Sequence, residues 1–299
     1  MINLSACYSP SLLKSGGRRS KEQLAELLDA INEILKGEDG AITIRHLFYR
    51  LVAPGLIPKT EPAYKCLTKH LGKWRRAELI RWDAFADNTR WKYGGRRFNG
   101  LDDALEETVR TYRKNLWRDQ QYYVEVWVEK DAIASIIVDE ADRFGVPTFV
   151  CRGFASLSSL HEAARTFRWQ EHLGKQVVVA YIGDHDPSGI YIDRKARETL
   201  AEDFDVEVEF ERIAVTPEQI EQYNLPTRPA KLGDSRARDW QGGCVEVDAM
   251  PPAELRQVIR DAITRRIEPW AWSQLQKAEA AEKETLREVI GSLRLPEAQ

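Results

Sequence analysis

The sequence predicts an α/β protein in which a helix-turn-helix or winged-helix (CAP-like) domain precedes a Rossmann-like parallel sheet. Short helical patterns joined by the helix breakers Pro54 and Gly55 lie in the first third of the chain. From residue 122 onward, apolar strand patterns alternate with helical patterns, which is typical of parallel strands with right-handed crossovers. One apolar run, Val177 to Ile182, is too short for an ordinary helix and ends in turn residues, as does a strand buried on both faces.

The composition is that of a globular protein with no membrane contact. The chain has 299 residues, which is enough for two domains. Of these residues, 43% are hydrophobic and 30% are charged. No apolar run approaches the roughly 20 residues that cross a bilayer, and no secretory signal is visible at the amino terminus. The four cysteines are widely spaced and form no zinc pattern. These features predict a cytoplasmic protein with reduced thiols.

The predicted N-terminal domain contains three helices. Residues 1–20 are expected to be a flexible N-terminus, and residues 21–100 a winged-helix DNA-binding domain, with Arg90 to Asn99 as a wing or basic loop. Ser20 with Gln23 forms a capping-box pattern, and Thr43 is a second N-cap candidate. The predicted helices are Lys21–Leu35, Ile44–Val52 and Ala63–Leu79.

Positive charge is concentrated in this domain. Residues 41–100 hold 13 Lys/Arg and 4 Asp/Glu, whereas the whole chain has a net charge of −3. A basic block on an acidic protein indicates a polyanion-binding surface, and a solvated helical face is the alternative. The residues expected to contact DNA phosphates are Lys59, Lys65, Lys69, Lys73, Arg75, Arg76, Arg96 and Arg97.

Residues 101–121 are predicted to be a linker helix, spanning Leu101 to Trp117, and residues 122–299 the sheet domain with C-terminal helices. The region 216–250 is rich in loops, with one short strand expected at Cys244–Val247. The predicted strands are Tyr123–Val128, Pro147–Cys151, Val177–Ile182 and Val206–Val215. The predicted helices are Ala132–Phe144, Leu157–Leu173, Ile190–Leu200, Pro251–Ile267 and Ala278–Leu293.

Three acids follow the ends of two predicted strands: Glu129 after one, Asp184 and Asp186 after another. Because the carboxyl ends of parallel strands meet at one edge of a sheet, these side chains are expected to converge there. Clustered carboxylates repel unless a cation lies between them, and oxygen ligands favour Mg²⁺. Gly189 is expected to let a phosphate approach the backbone. The alternative is an acidic turn that caps the helix beginning near Pro187.

Three stretches resemble the A subunit of type IIB topoisomerases (topoisomerase VI) and the related meiotic double-strand-break transesterases. The short chain is most similar to the stand-alone bacterial and phage "mini-A" relatives. A further acidic and apolar stretch, Cys244 to Met250, also resembles the family. The three stretches are Thr43-Ile-Arg-His-Leu-Phe-Tyr49, Val128-Glu-Lys-Asp-Ala-Ile133 and Gly183-Asp-His-Asp-Pro-Ser-Gly-Ile190.

The resemblance implies a Toprim fold for the sheet domain and a catalytic role for Tyr49, which would attack a DNA phosphodiester and form a 5′-phosphotyrosyl link. Arg45 would assist the tyrosine. Glu129, Asp184 and Asp186 would hold one or two Mg²⁺ ions. His46 stands where relatives usually have an acid, so no role of that acid is carried over.

The resemblance also implies the partners: double-stranded DNA, a second copy of the chain in a homodimer, and the nucleoid of a bacterium or phage host as location. In the family's dimers, the tyrosine of one subunit meets the metal of the other. No phosphate-loop motif for a nucleotide occurs in the chain. ATP-driven strand passage would therefore need a separate ATPase (B-type) subunit.

Two other functions remain open at this stage. In the first, the protein is a Toprim-type nuclease that hydrolyses DNA through a metal-activated water. In the second, it is a non-catalytic DNA-binding protein. In both, Tyr49 is a core residue of an amphipathic helix, surrounded by Leu47, Phe48 and Leu51.

Overall fold

The computed structural model describes residues 19–38, 40–85, 97–230 and 240–293. The helices in these ranges are α1 (Lys21–Lys36), α2 (Ile44–Val52), α3 (Glu61–Arg76), α4 (Leu101–Thr111), α5 (Ala134–Asp142), α6 (Leu157–His172), α7 (Pro187–Glu202), α8 (Pro217–Gln222), α9 (Pro252–Thr264) and α10 (Pro269–Leu293). The strands are β1 (Tyr122–Val128), β2 (Thr148–Val150), β3 (Gln176–Ile182) and β4 (Glu209–Ala214).

The four strands form one parallel sheet in the order β2-β1-β3-β4. Strands β1 and β3 are paired over their full length, and Val128 lies opposite Ile182 at their carboxyl ends. The residues that follow these two strands therefore start side by side. The predicted α/β class with a parallel sheet is confirmed, whereas the winged-helix and Toprim assignments stay predictions.

Strand β3 separates two apolar cores because successive side chains of a strand point to opposite faces. Val178, Ala180 and Ile182 belong to one core, and Val177 and Tyr181 belong to the other. The first core is continuous from the N-terminal helices to the sheet. It contains Leu27, Leu47 and Leu67 together with Val126, Ile182 and Ile259. The predicted division between residues 21–100 and 122–299 thus crosses a shared core, and the domain limits stay predictions.

The predicted linker helix is shorter than expected. Helix α4 ends at Thr111, six residues before the predicted end at Trp117. Beyond the end of the helix, Trp117 is buried. Its indole Nε1 donates to the Phe144 carbonyl oxygen at 2.7 Å. The ring of Trp117 packs edge-on against Trp272 at 5.6 Å.

The prediction of a strand at Cys244–Val247 is wrong. Cys244 and Val245 form only isolated bridges, with Arg228 and His185, and a helical turn begins at Val247. Asp184 Oδ1 accepts from the Val247 amide at 3.0 Å, so a loop carboxylate binds this backbone instead of a neighbouring strand.

The C-terminal helix begins earlier than predicted. Helix α10 begins at Pro269, nine residues before the predicted start at Ala278. The predicted wing lies outside the described residues except at 97–99. Among the described helices, none combines the length and the apolar character that crossing a bilayer requires.

Candidate functional site

The acids predicted from the sequence meet at the carboxyl edge of the sheet. The Asp184 amide donates to Glu129 Oε2 at 3.0 Å, and the Glu129 amide donates to the Ile182 carbonyl oxygen at 2.9 Å. Both carboxylates are buried. A Cβ atom on Gly183 would lie 2.7 Å from Glu129 Oε2, so glycine is required there for the Glu129 carboxylate to approach the Asp184 backbone.

Asp186 is the N-cap of α7. Its Oδ1 accepts from the Gly189 amide at 2.8 Å, which confirms the capping interpretation for one carboxylate oxygen. Its Oδ2 lies 3.8 Å from Arg228 Nη2. A Cβ atom on Gly189 would lie 2.3 Å from the Asp184 carbonyl oxygen. The close approach of the Asp184 backbone therefore accounts for a glycine here, and the approach of a phosphate stays a prediction.

A second acid pair, Glu246 and Asp248, joins the first. Asp248 is 1% exposed, and its neighbour Val247 donates to Asp184. This pair was not among the site residues predicted from the sequence, although its two-residue spacing repeats that of Asp184 and Asp186. We refer to Glu129, Asp184, Asp186, Glu246 and Asp248 as the acid centre.

Three cations from distant parts of the chain contact the acid centre. Lys130 Nζ lies 2.6 Å from Asp184 Oδ2, 3.4 Å from Asp248 Oδ2 and 3.7 Å from Glu246 Oε2. Arg45, on α2, binds Glu246, and its Nε lies 3.5 Å from Asp248 Oδ2. Arg228 Nη2 lies 3.4 Å from Glu246 Oε1. Five carboxylates thus face three cations, an excess of two negative charges when all are ionised.

Burial and charge act in opposite directions within the acid centre. Burial, with the nearby Asp184 carboxylate, raises the pKa of Glu129 to about 7. Burial also raises the pKa values of Asp184 and Asp248. For Glu246 burial is outweighed by Lys130, Arg45 and Arg228, which lower its pKa to about 2. Glu246 is therefore the permanent anion around which the three cations gather.

The donor chemistry of the acid centre fits a hard divalent cation, because all its side chains offer carboxylate oxygens and negative charge is in excess. Its arrangement does not yet form such a site: within the described ranges, no group of three or more His, Cys, Asp or Glu side chains is placed to hold a metal ion. The ammonium of Lys130 lies between the carboxylates of Asp184, Glu246 and Asp248. Metal binding would require this ammonium to move.

A cavity of about 420 Å³ opens over the acid centre. Glu129, Asp184, Asp186 and Glu246 line it together with Arg45, Lys130 and Arg228, and Pro187 and Ser188 border it at the start of α7. A surface that combines acids with bases can take a metal ion and an anion at once. The cavity is therefore suited to a phosphate ester with its counterion.

Tyr49 lies beside the acid centre and does not line its cavity. It is 5% exposed and lines a neighbouring cavity of about 370 Å³. Burial and the Glu246 carboxylate raise its pKa, against the effect of the nearby Arg45 charge. The structure thus places Arg45 in the cavity that the three predicted acids line. Tyr49 lies outside that cavity, and burial keeps its phenol protonated.

His46 is a buried, neutral residue of the same helix. Its side chain is 1% exposed, and its Nδ1 lies 2.9 Å from Thr43 Oγ1. Burial and the charges of Arg256 and Arg45 lower its pKa from 6.5 to about 3. His46 therefore carries no charge at neutral pH.

The basic residues predicted to contact DNA divide into two groups. Lys65, Lys69, Lys73 and Arg76 are exposed on α3 and are referred to as the basic face of α3. Lys59 instead donates to the Pro226 carbonyl oxygen at 3.3 Å and lies over the Tyr49 ring. Arg75 stacks on Trp82 and donates to its carbonyl oxygen at 3.2 Å. Arg97 is exposed, and Arg96 lies outside the described residues.

Two further residues of the site, Lys130 and Arg228, were not predicted from the sequence. Lys130 follows Glu129 directly, which was the available signal, whereas nothing in the sequence near Arg228 indicated a site.

Comparison of the chain with protein-family models, with curated proteins and with solved structures returns no match.

Proposed function

We propose that the protein is a Mg²⁺-dependent DNA transesterase of the topoisomerase VI A-subunit type. One observation carries the proposal: Arg45 of the tyrosine-bearing helix α2 contacts Glu246 and Asp248 of the acid centre. Two sequence motifs separated by 78 residues, 43–49 and 128–133, are thereby brought to one cavity. This proximity supports a joint role for them that neither motif supports by itself.

In the proposed reaction, Tyr49 Oη attacks a DNA phosphorus, a P–O(Tyr) bond forms, the P–O3′ bond breaks, and the 3′ oxygen is protonated. The phenolic proton must pass to a base, because burial keeps Tyr49 protonated. Arg45 would bind the scissile phosphate and favour the phenolate. Glu129, Asp184 and Asp186 would hold Mg²⁺, which when bound neutralises the phosphate and stabilises the leaving oxygen.

Three partners belong to the proposal. Exposed positive charge on the basic face of α3 supports binding to double-stranded DNA through its phosphates. A homodimer with twofold symmetry would present two sites to opposite strands. Strand passage driven by ATP would require a separate B-type subunit.

The second candidate function is a metal-dependent nuclease. It is favoured by the burial of Tyr49 and by its position outside the cavity of the acid centre. Water, which reaches an open cavity, would then be the nucleophile, and Tyr49 would be a core residue packed edge-on against Phe48 at 5.5 Å.

Incubation with supercoiled plasmid and Mg²⁺, stopped with denaturant, tests the proposal. The expected product is cleaved DNA with protein attached at its 5′ ends, absent in Tyr49→Phe and in Asp184→Asn. Tyr64→Phe is the matched control, because Tyr64 also packs edge-on against Phe48, at 5.4 Å. Cleavage without an adduct that persists in Tyr49→Phe would establish the nuclease instead. DNA binding without any cleavage would contradict both and favour a binding protein.

A further inference from the structure

Two arginines lie near the Asp184–Asp186 loop and differ in how completely they are bound. Arg212 donates from Nε to Asp193 Oδ2 at 2.7 Å and from Nη1 to the carbonyl oxygens of Gly183 and Asp184 at 3.0 and 3.1 Å. Its Nη2 donates to the Gly189 carbonyl oxygen at 2.9 Å. Arg212 therefore has a protein acceptor at each of its three nitrogens, and it fixes the loop that carries the aspartates.

The backbone of Arg228 is fixed by a hydrogen bond, whereas its guanidinium has hydrogen-bond donors that are not used. Its amide donates to the Cys244 carbonyl oxygen at 2.9 Å, which ties it to the loop of Glu246. Its guanidinium has ion pairs at 3.4 Å with Glu246 and at 3.8 Å with Asp186. Its Nε is buried with no hydrogen-bond partner among the described residues. Because a guanidinium has five N–H donors, Arg228 retains donors for a further ligand.

The start of α7 borders the same cavity as Arg228. Pro187 and Ser188 are the first residues of this 16-residue helix, and both line the cavity. The partial positive charge of a helix N-terminus favours an anion. Asp186 already accepts from the Gly189 amide at this N-terminus, so the helix end adds only its remaining partial charge. The fixed guanidinium of Arg228, with its spare donors, is the feature that favours an anion beside Asp186.

We propose that Arg228 binds the nonbridging oxygens of the DNA phosphodiester that is cleaved. The planar fork of a guanidinium matches two phosphate oxygens. The phosphate would replace the long ion pairs to Glu246 and Asp186, and it would then lie next to the proposed metal ligands. This inference rests on the proposed function, since it assigns the substrate contact within that site.

DNA affinity as a function of NaCl concentration tests the contact without cleavage. Measured with Mg²⁺ in the Tyr49→Phe background, Arg228→Gln is expected to reduce the slope of log K against log[NaCl] by about 0.9, the value for one lost phosphate contact on B-DNA. Arg194→Gln is the control, because Arg194 is exposed on α7 and pairs with Glu198 at 3.6 Å. This control is expected to leave the slope unchanged.

Cleavage in the otherwise wild-type protein gives the second readout. Arg228→Gln and Arg228→Ala are expected to lower the cleavage rate by about a hundredfold, as for other lost donors to a transition state. Added methylguanidinium should restore part of the rate in Arg228→Ala only. Circular dichroism and thermal unfolding identify misfolded variants. If the Gln and Ala variants misfold, Arg228→Lys replaces them as the test. This variant is expected to retain the slope of log K against log[NaCl] and to reduce the cleavage rate.

The outcomes separate the inference from the function it rests on. Wild-type binding and cleavage, with an unchanged slope and rate in Arg228→Gln, would overturn the role of Arg228 alone. A wild-type protein that neither binds nor cleaves DNA would remove the proposed function and the inference with it. A loss of rate in Arg228→Ala that methylguanidinium does not restore, with an unchanged salt slope, would mean that Arg228 is structural.

Discussion

Helices α2 and α3 follow one another in the chain and differ in what their charged residues contact. In α2, five of nine residues are buried. Arg45 of this helix reaches Glu246 of the acid centre, which is 201 residues away in the chain. In α3, two of sixteen residues are buried, and the basic face of α3 is exposed. In the proposed function, α2 brings the chemistry and α3 supplies affinity for phosphates.

The difference shows the limit of a helical pattern as a predictor of function. Apolar spacing predicts that each segment is a helix with one buried face. It does not predict whether an arginine on the remaining face contacts water or a carboxylate from a distant loop. The two helices therefore respond differently to substitution, and four comparisons test this, from the largest expected effect to the smallest.

Leu47 gives the largest difference in stability. It is fully buried in the core that joins the N-terminal helices to the sheet. Leu47→Ala is expected to lower the free energy of unfolding by about 3 kcal/mol, because it leaves a cavity. Lys69→Ala on α3 should change it by less than about 0.5 kcal/mol. Urea denaturation measures both; equal losses would contradict the different packing of the two helices.

His46 and His70 give different dependences of stability on pH. Both have pKa values below 6.5, through burial first and nearby positive charge second, with that of His46 at about 3. The unfolded state therefore binds a proton that the folded state excludes, and stability present above pH 6.5 is lost as the pH falls towards 3. The loss from His46 should be about 1.4 kcal/mol per pH unit.

Denaturant unfolding at several pH values between 6 and 4 isolates each histidine. In His46→Gln, the slope of the free energy of unfolding against pH should be smaller than in the wild type by the amount that corresponds to about one bound proton. His70→Gln should remove less, because His70 is only partly buried, stacked on Trp74 at 5.3 Å. A His46→Gln profile parallel to that of the wild type would show that His46 is protonated in the folded protein.

The N-caps of the two helices give a smaller difference. Thr43 accepts from the His46 amide at 3.1 Å and also contacts His46 Nδ1. Thr60 accepts from the Ala63 amide at 3.4 Å in an exposed position. Thr43→Ala is expected to cost about 1.5 kcal/mol and Thr60→Ala about 0.5 kcal/mol, within the range of N-cap losses. Thermal unfolding compares them; a reversed order would be inconsistent with the buried network at Thr43.

The lysines of α3 give the smallest effect on stability and a specific effect on binding. Exchange of Lys65, Lys69 and Lys73 for Gln should leave thermal unfolding nearly unchanged, since all three are exposed. If each contacts a phosphate, the slope of log K against log[NaCl] falls by about 0.9 for each lysine. Exchange of Lys21, Lys195 and Lys277, which lie on other helices, is the control of equal charge. An equal reduction of the slope in this control would show that binding depends on net charge alone.

The sequence predicted the sheet and the part of the site that follows directly from it. The limits of α2 are as predicted, and Glu129 meets Asp184 because β1 and β3 end in register. Glu246, Asp248 and Arg228 were not predicted, because they lie on irregular segments whose positions depend on long-range contacts. An example is the bond between Val247 and Asp184. At Asp186 the capping interpretation is confirmed for Oδ1, and the metal-binding interpretation stays a prediction.

Peptide mapping of the protein–DNA adduct tests the central claim most directly. The adduct formed with Mg²⁺ is digested with nuclease and protease, and the nucleotide-bearing peptide is identified by mass spectrometry. The account predicts a nucleotide on Tyr49, the tyrosine whose helix contacts the acid centre through Arg45. A nucleotide on another residue, or complete cleavage without any nucleotide-bearing peptide, would contradict it.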